Sequence, residues 1–179
     1  NGQYQPHTQA PWHASTSPTT TNAVAPTWPQ ARASHSMVLT HTSGELLLFG
    51  GNDAKVLLND VWLCHPSTGQ WRQPSVVGTP PAPRSTHSAA VLGDRMFVFG
   101  GALDGGAQLS NDLHVLEESS TSSSSGFVWY RPAYSGAPPA PRCGHSAVFI
   151  EDSMFLWGGN DAQRNFGDLH LLTVAGEND

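Results

Sequence analysis

Short apolar runs separated by polar, turn-forming stretches dominate this chain. Leu46-Leu47-Leu48-Phe49 stops on Gly50-Gly51, Met96-Phe97-Val98-Phe99 on Gly100-Gly101, and Met154-Phe155-Leu156-Trp157 on Gly158-Gly159. Apolar runs of this length, rich in aromatic and aliphatic residues and bounded by glycine, read as buried β-strands that end at the glycine pair. The pairs stand 50 and 58 residues apart, so the chain is a repeat array.

The same order of features surrounds each run. In the first unit, Arg32-Ala33-Ser34-His35-Ser36 leads into a strand, Met37-Val38-Leu39-Thr40, and a turn over residues 41–44 precedes the second strand at 45–49. A polar loop at 52–58 reaches Asn59-Asp60, Val61-Trp62-Leu63-Cys64 alternates as a third strand, and Pro66-Ser67-Thr68-Gly69 is turn chemistry before a short strand at Trp71. The second unit repeats this from Arg84-Ser85-Thr86-His87-Ser88 through Asn111-Asp112 to Trp129. The third runs from Arg142-Cys143-Gly144-His145-Ser146 to Gly167-Asp168 and reaches Asp179 without a fourth-strand tryptophan. From Arg to the first Gly is 18, 16 and 16 residues, and Trp to the next Arg is 13 in both available cases, whereas Asp to Trp grows from 11 to 17. The extra residues, in the Ser-rich tract 117–126, are expected to loop out between the third and fourth strands.

Four short antiparallel strands per unit describe the blade of a β-propeller. Glycine pairs permit positive φ and let another backbone approach where a Cβ would clash. Trp71 and Trp129 offer large apolar bodies for packing between blades. Arg32/Asp60, Arg84/Asp112 and Arg142/Asp168 recur with opposite charge, so each pair is expected to neutralise itself. At this level the resemblance becomes specific. Arg-x-x-His-Ser, then Gly-Gly, then Asn/Gly-Asp-Leu/Val-His/Trp, then Trp, resembles the kelch repeat over residues 32–172. The branch is the one shared by Rab-effector-like, host-cell-factor-like and leucine-zipper-like kelch proteins. The resemblance implies an all-β fold, a partial kelch β-propeller of about three four-stranded antiparallel blades, and a role in protein–protein interaction through loops on one face. Kelch propellers usually have five to seven blades, and a ring of three does not close at ordinary blade twist. The remaining blades are therefore expected from the same longer chain or from a second copy, and the orphan tryptophan at Trp12 with the missing one at the end favours the longer chain. No BTB-like helical segment is visible.

The units divide the array at about 31–78, 79–136 and 137–179. Residues 1–30, rich in Pro and Thr, read either as a floppy leader or as the tail of a preceding blade, since Tyr4 precedes Trp12 by the eight residues that separate Leu63 from Trp71. The formal net charge of −6, from 8 basic and 14 acidic residues, argues against nucleic-acid partners. No apolar run has the length to insert in a membrane. Two cysteines at non-equivalent repeat positions and no Asn-x-Ser/Thr sequon suit a cytoplasmic setting, with association to the cytoskeleton one option. The chain opens at Asn1 with no leader, which is expected of an excerpt.

Candidate chemistry is sparse. His35, His87 and His145 are repeat-equivalent, and a ring of them near a propeller axis would hold a metal, but blade-by-blade packing explains the spacing more simply. His114 and His170 occupy the slot of Trp62, which points to packing. Some kelch proteins are enzymes, but Tyr4, Tyr130 and Tyr134 miss the first strands where copper-radical oxidase ligands would sit. The Glu-x-x-x-Asp-x-x-x-His iron motif of the glucosinolate-specifier proteins is absent, as are hydrolase, zinc-protease and phosphate-cradling motifs. The reading is thus no enzyme and no cofactor. The working surface expected is the set of second-to-third-strand loops, with Asn52, Asp53, Lys55, Asp104, Asp161, Gln163 and Arg164 as partner-binding candidates. The repeat residues Arg32, His35, Gly50, Gly51, Asp60, Trp71, Arg84, His87, Gly100, Gly101, Asp112, Trp129, Arg142, His145, Gly158, Gly159 and Asp168 form the structural signature. The Ser-rich stretch 119–125 falls on the opposite face as a spacer or a phosphorylation site. Two other readings stay open: an enzyme whose catalytic residues lie outside this stretch, and a structural component of a large cytoskeletal assembly.

Overall fold

The computed structural model describes residues 28–121 and 124–175, and within them every regular element except one short 3-10 turn is a strand. The first sheet is a four-stranded antiparallel meander: β1 (Ser36–Leu39), β2 (Leu46–Phe49), β3 (Val61–His65) and β4 (Gln70–Arg72). The second contains β5 (Val76–Gly78), β6 (Ser88–Leu92), β7 (Arg95–Leu103), β8 (Gln108–Thr121) and β9 (Ser124–Tyr130) in the order β5-β9-β8-β7-β6. The third has β10 (Ser146–Ile150), β11 (Ser153–Trp157) and β12 (Leu169–Thr173). Among the described residues the chain is thus all-β, three blade-like sheets in succession, and in place of three four-stranded blades the sheets have four, five and three strands. Of the leader at 1–30, residues 1–27, with the Tyr4–Trp12 spacing, lie outside the described residues.

Three local features depart from the sequence reading. The tract at 117–126 does not loop out: Glu117 pairs with Val128, Glu118 with Phe127 and Ser119 with Gly126, so the insertion lengthens both strands of the hairpin. Backbone pairing needs no apolar side chain, and a serine-rich sequence gives no periodic signal of it. β7 does not stop at its glycine pair but shifts register between Phe99 and Gly101 and continues to Leu103, a bulge that carries the strand onward. β5, a strand to which the sequence reading assigned nothing, adds to the second sheet in parallel with β9, matching Gly78 to Trp129.

The period-two alternation of each strand gives each blade two apolar faces, and facing pairs build the core. Leu47, Phe49, Val61 and Leu63 of the first blade close on Met96, Val98, Leu116 and Trp129 of the second. Phe97, Phe99, Leu113 and Val115 on the other side of the second blade then close on Met154 and Leu156 of the third. The corresponding outer face of the third blade is open: Phe49 is 0% and Phe99 4% exposed, but Trp157 is 55%. Burying each such side chain stabilises the array by about 1.5–3 kcal/mol.

Blades are also stitched through backbone. Gly51 N–H donates to the Arg84 carbonyl (2.8 Å) and Arg84 N–H to the Leu58 carbonyl (3.0 Å); Gly101 and Arg142 repeat the pattern with Ser110 one blade later. This close approach is what excludes side chains: a Cβ on Gly100 would lie 2.9 Å from the Arg142 carbonyl oxygen, and one on Gly101 2.8 Å from that of Ser85. Gly158 has a similar φ, but its nearest neighbour would be 3.5 Å away. Gly101→Val is expected to abolish the native fold. Gly100→Ala is expected to cost about 3 kcal/mol or more, while Gly158→Ala carries only the backbone strain of about 1–2 kcal/mol. Urea denaturation of the two alanine variants separates these; equal losses would refute the close-approach account.

Inside each blade the arginine closes a fork. Arg84 gives Nη1 to Asp112 Oδ1 (2.6 Å) and Nη2 to Oδ2 (3.0 Å), with Nη1 also reaching the Gly100 carbonyl (2.8 Å) and Nε that of Ala82 (3.2 Å). Arg142 repeats this with Asp168, Gly158 and Ala140, and Arg32 with Asp60, Gly50 and Gln30. The Arg84 and Arg142 side chains are 0% exposed. Asp112→Ala is expected to lower stability by about 3–5 kcal/mol by stranding the buried guanidinium, read from the same denaturation curves.

Candidate functional site

The segment entering each blade pairs with the loop that follows its glycine pair: Ala33 bridges Asn52, Ser85 bridges Ala102, and Cys143 bridges Asn160. Entry segments and second-to-third-strand loops therefore lie together. Between the first and second blades they border one open groove, lined by Ser34, Asn52, Lys55, Thr86, Asp104 and Gln108 among others. Asp161, Gln163 and Arg164 belong to the equivalent loop of the third blade and do not line it.

Two of these loops share one construction. Asp53 Oδ1 accepts the N–H groups of Lys55 (2.9 Å) and Val56 (2.8 Å), and Asn52 Oδ1 accepts that of Ala54 (3.3 Å). Asp161 Oδ1 accepts Gln163 (3.0 Å) and Arg164 (2.9 Å), and Asn160 Oδ1 accepts Ala162 (3.2 Å). Side-chain oxygens capturing N–H groups two and three residues on are the turn chemistry of Asn and Asp. These backbone donors hold both aspartates below the usual carboxylate range. They also hold Ala54 and Ala162 at φ of 73° and 70°, where alanine is strained. Asp53 and Asp161 thus shape their loops, and the outward groups are Lys55, Gln163 and Arg164, all exposed. Arg164 lies over the Phe166 ring (5.1 Å) and pairs with Asp161 (3.4 Å). The second blade's loop differs: a 3-10 turn over Asp104–Gly106 replaces the double Asn/Asp turn and leaves Asp104 exposed.

The histidines are not gathered into one site. His87 is edge-on to Phe49 of the preceding blade (5.3 Å) and shares a hydrogen bond with Ser36 Oγ (2.9 Å); His145 is edge-on to Phe99 (5.5 Å). Each fills the space over the preceding blade's glycine, at 3.0 Å from where a Cβ would stand. Among the described residues no His, Cys, Asp and Glu are grouped as metal ligands, and Cys64 and Cys143 are free thiols. His114 and His170 hydrogen-bond Asp112 (3.1 Å) and Asp168 (2.8 Å), as the Trp62 indole does Asp60 (2.7 Å). Sequence reasoning missed the extra polar groups on Asp112, where Ser110 Oγ donates to Oδ1 (2.6 Å) and Arg131 Nη2 to Oδ2 (3.0 Å). Burial raises the Asp112 pKa, but hydrogen bonds from His114, Arg84 and Ser110 outweigh it and leave the group well below the usual range.

Burial, reinforced by Arg84 and Arg142, pushes His87 down to about 3 and His145 down to about 4. Both are neutral in the fold and regain an ordinary pKa near 6.5 on unfolding, so between those values the unfolded chain binds more protons. Stability is therefore complete above about pH 6.5 and falls as pH drops towards 4, by up to about 1.4 kcal/mol per pH unit for each histidine. A melting series from pH 7.5 to 4 is expected to show this slope, and His87→Gln to flatten it. A level curve above pH 4.5 would refute the neutral-histidine assignment.

Comparison with known proteins agrees with the repeat geometry. A family model described as the KLHDC2/KLHL20/DRC7 Kelch-repeats domain matches residues 10–178. A leucine-zipper-like transcriptional regulator 1 homolog of Drosophila melanogaster is 32% identical over 150 residues, covering 82% of this chain and 15% of that protein. A Rab9 effector protein with kelch motifs from Bos taurus is 35% identical over 137 residues, covering 75% and 35%. The flagellar outer-arm dynein alpha chain of Chlamydomonas reinhardtii is 33% identical over 156 residues, covering 82% of this chain and 3% of that one. The chain thus spans between 3% and 35% of the length of these relatives.

Proposed function

The chain belongs to the kelch-repeat family, and from that premise we propose that it is a non-enzymatic protein-interaction module whose entry-side loops contact a protein partner. The groove between the first two blades carries this reading. One wall is the first blade's loop, closed by the N–H groups that Asn52 and Asp53 capture, the other is the 3-10 turn at Asp104–Gly106, and the rim presents one cation, Lys55, and one anion, Asp104, both exposed. Pre-ordered loops with outward charges suit recognition of a folded surface or an extended peptide, since little ordering entropy is lost on binding. Relatives named as an effector and a regulator support a role in assembly. No helix among the described residues is long and apolar enough to cross a membrane. A cytoplasmic, scaffold-type protein agrees with the free thiols, and the dynein chain among the relatives supports a cytoskeletal setting for part of the family. Arg164 and Gln163 extend the same kind of surface onto the third blade.

The immobilised chain is to be compared with a Lys55→Glu, Asp104→Lys, Arg164→Glu variant for proteins retained from a cell extract. Because Lys55 and Arg164 project from loops closed by Asp53 and Asp161, and Asp104 is exposed on its 3-10 turn, the melting temperature is expected to stay within about 1 °C. Retention of at least one protein is expected to fall about tenfold, equivalent to about 1.4 kcal/mol. An unchanged retained set at an unchanged melting temperature would refute recognition through these loops.

A further inference from the structure

Asp112 receives two guanidinium groups. Arg84 reaches it from inside the blade, and Arg131, just beyond β9, donates Nη2 to its Oδ2 (3.0 Å). The Arg131 side chain is 65% exposed, whereas that of Arg84 is sealed. Arg131 Nε lies 3.3 Å from His114 Nε2, but the same nitrogen faces Asp112 Oδ2 at 3.1 Å. One imidazole nitrogen cannot donate to the carboxylate and accept from the arginine at once. With its proton turned to Asp112, Arg131 keeps one contact to a carboxylate and most of its donor fork unused. Two cations sharing one carboxylate also leave a positive charge over at this node. Among the described contacts the other blades have no such second arginine: Asp60 takes Arg32 and the Trp62 indole, and Asp168 takes Arg142 and His170.

The same open cavity that Arg131, Asp112 and His114 line is bordered on its far side by Thr79 and Pro80. These two residues lie between anchored points. β5 ends at Gly78, and the buried Pro81 gives its carbonyl to Asn59 Nδ2 (3.1 Å), while Thr79 and Pro80 have no regular structure and are both exposed. Proline has no N–H, so a kinase site that offers no acceptor at the following position selects a hydroxyl residue placed directly before it. Five residues before its blade's arginine, the first unit has Thr27-Trp28 and the third has Ala137-Pro138. The unit with the extra arginine is therefore the one with the Thr-Pro step.

We propose that Thr79 is a phosphorylation site for a proline-directed serine/threonine kinase, and that its phosphate is held by the Arg131 guanidinium. The kinase supplies ATP. Thr79 Oγ forms a bond to the γ-phosphorus, the bond from that phosphorus to the ADP oxygen breaks, and the hydroxyl proton passes to the kinase's base. The new phosphate oxygens then accept the unused N–H groups of Arg131 in charge-assisted hydrogen bonds, tying the linker to the end of β9 across the cavity. This site is independent of the groove bordered by Lys55 and Asp104.

The folded 179-residue chain is to be treated with a purified proline-directed kinase and ATP in a Ser17→Ala background, because Ser17-Pro18 is the other Ser/Thr-Pro step of the sequence. Mass spectrometry is expected to find one phosphoryl group on Thr79 and none there after Thr79→Ala. Capture is read separately, by phosphorus NMR across pH. The second phosphate ionisation, near 6 in an unstructured phosphothreonine, is expected about half a pH unit lower in the protein than in a phosphorylated peptide of residues 75–83. Arg131→Gln is expected to return it to the peptide value, and added salt to move it the same way in the parent chain, where folding is not in question. The proposal is overturned if Thr79 stays unmodified in the folded chain, or if the phosphate titrates in the parent chain as it does in the peptide.

Discussion

A guanidinium sealed from water is the constraint from which the rest of this architecture follows. Arg84 and Arg142 have no exposed surface, so every N–H they point inward must meet an oxygen, and the fold is arranged to supply them. A carboxylate comes from the third strand, a carbonyl from the glycine at the end of the second, and another from two residues upstream. Three stretches far apart in sequence are thereby fixed to one planar group. The net stabilisation of such a buried pair is small, yet its tolerance for displacement is smaller still, and that rigidity sets the blade's geometry. With the arginine pinned, its own carbonyl is aimed at the preceding blade, and only glycine leaves room for it.

Much of this was legible in the sequence because each element carries a type-specific demand. An arginine and an aspartate recurring 28, 28 and 26 residues apart and a glycine pair closing an apolar run are physical requirements, and they appear in all three units. The pattern failed where the stabilising groups are backbone. Glu117 to Ser119 pair as strand although their side chains carry no alternation, and Val76–Gly78 joins a sheet from within a proline-bounded linker. The bulge that carries β7 past Gly101 likewise leaves no mark in composition.

The candidate loops divided along a similar line. Asp53, Asp161 and their neighbours were visible as polar loop residues, but polarity alone does not distinguish a side chain turned to solvent from one folded back onto its own backbone. The N–H groups captured by Asp53 and Asp161 make them part of the scaffold, and leave Lys55, Gln163 and Arg164 outermost. The histidines show the opposite case. Their repeat-equivalent positions were compatible with convergence, but His87 and His145 each turn to the aromatic ring and glycine of the blade before, so the repeat multiplies one local contact instead of assembling a centre.

The stitching between blades is reciprocal but strictly between neighbours. Gly51 N–H is capped by the Arg84 carbonyl and Arg84 N–H by that of Leu58, and Gly101, Arg142 and Ser110 repeat this one blade later, while the side-chain fork of each arginine closes within its own blade. Coupling of this kind is nearest-neighbour, like a row of tiles in which each overlaps only the one before. A ribosome releases the chain in the same order, so each blade finishes its internal fork first and becomes watertight only when its successor arrives. Until then its glycine carries an uncapped amide and an apolar face turned outward, which makes the growing end of the array, at every stage of synthesis, its most vulnerable surface.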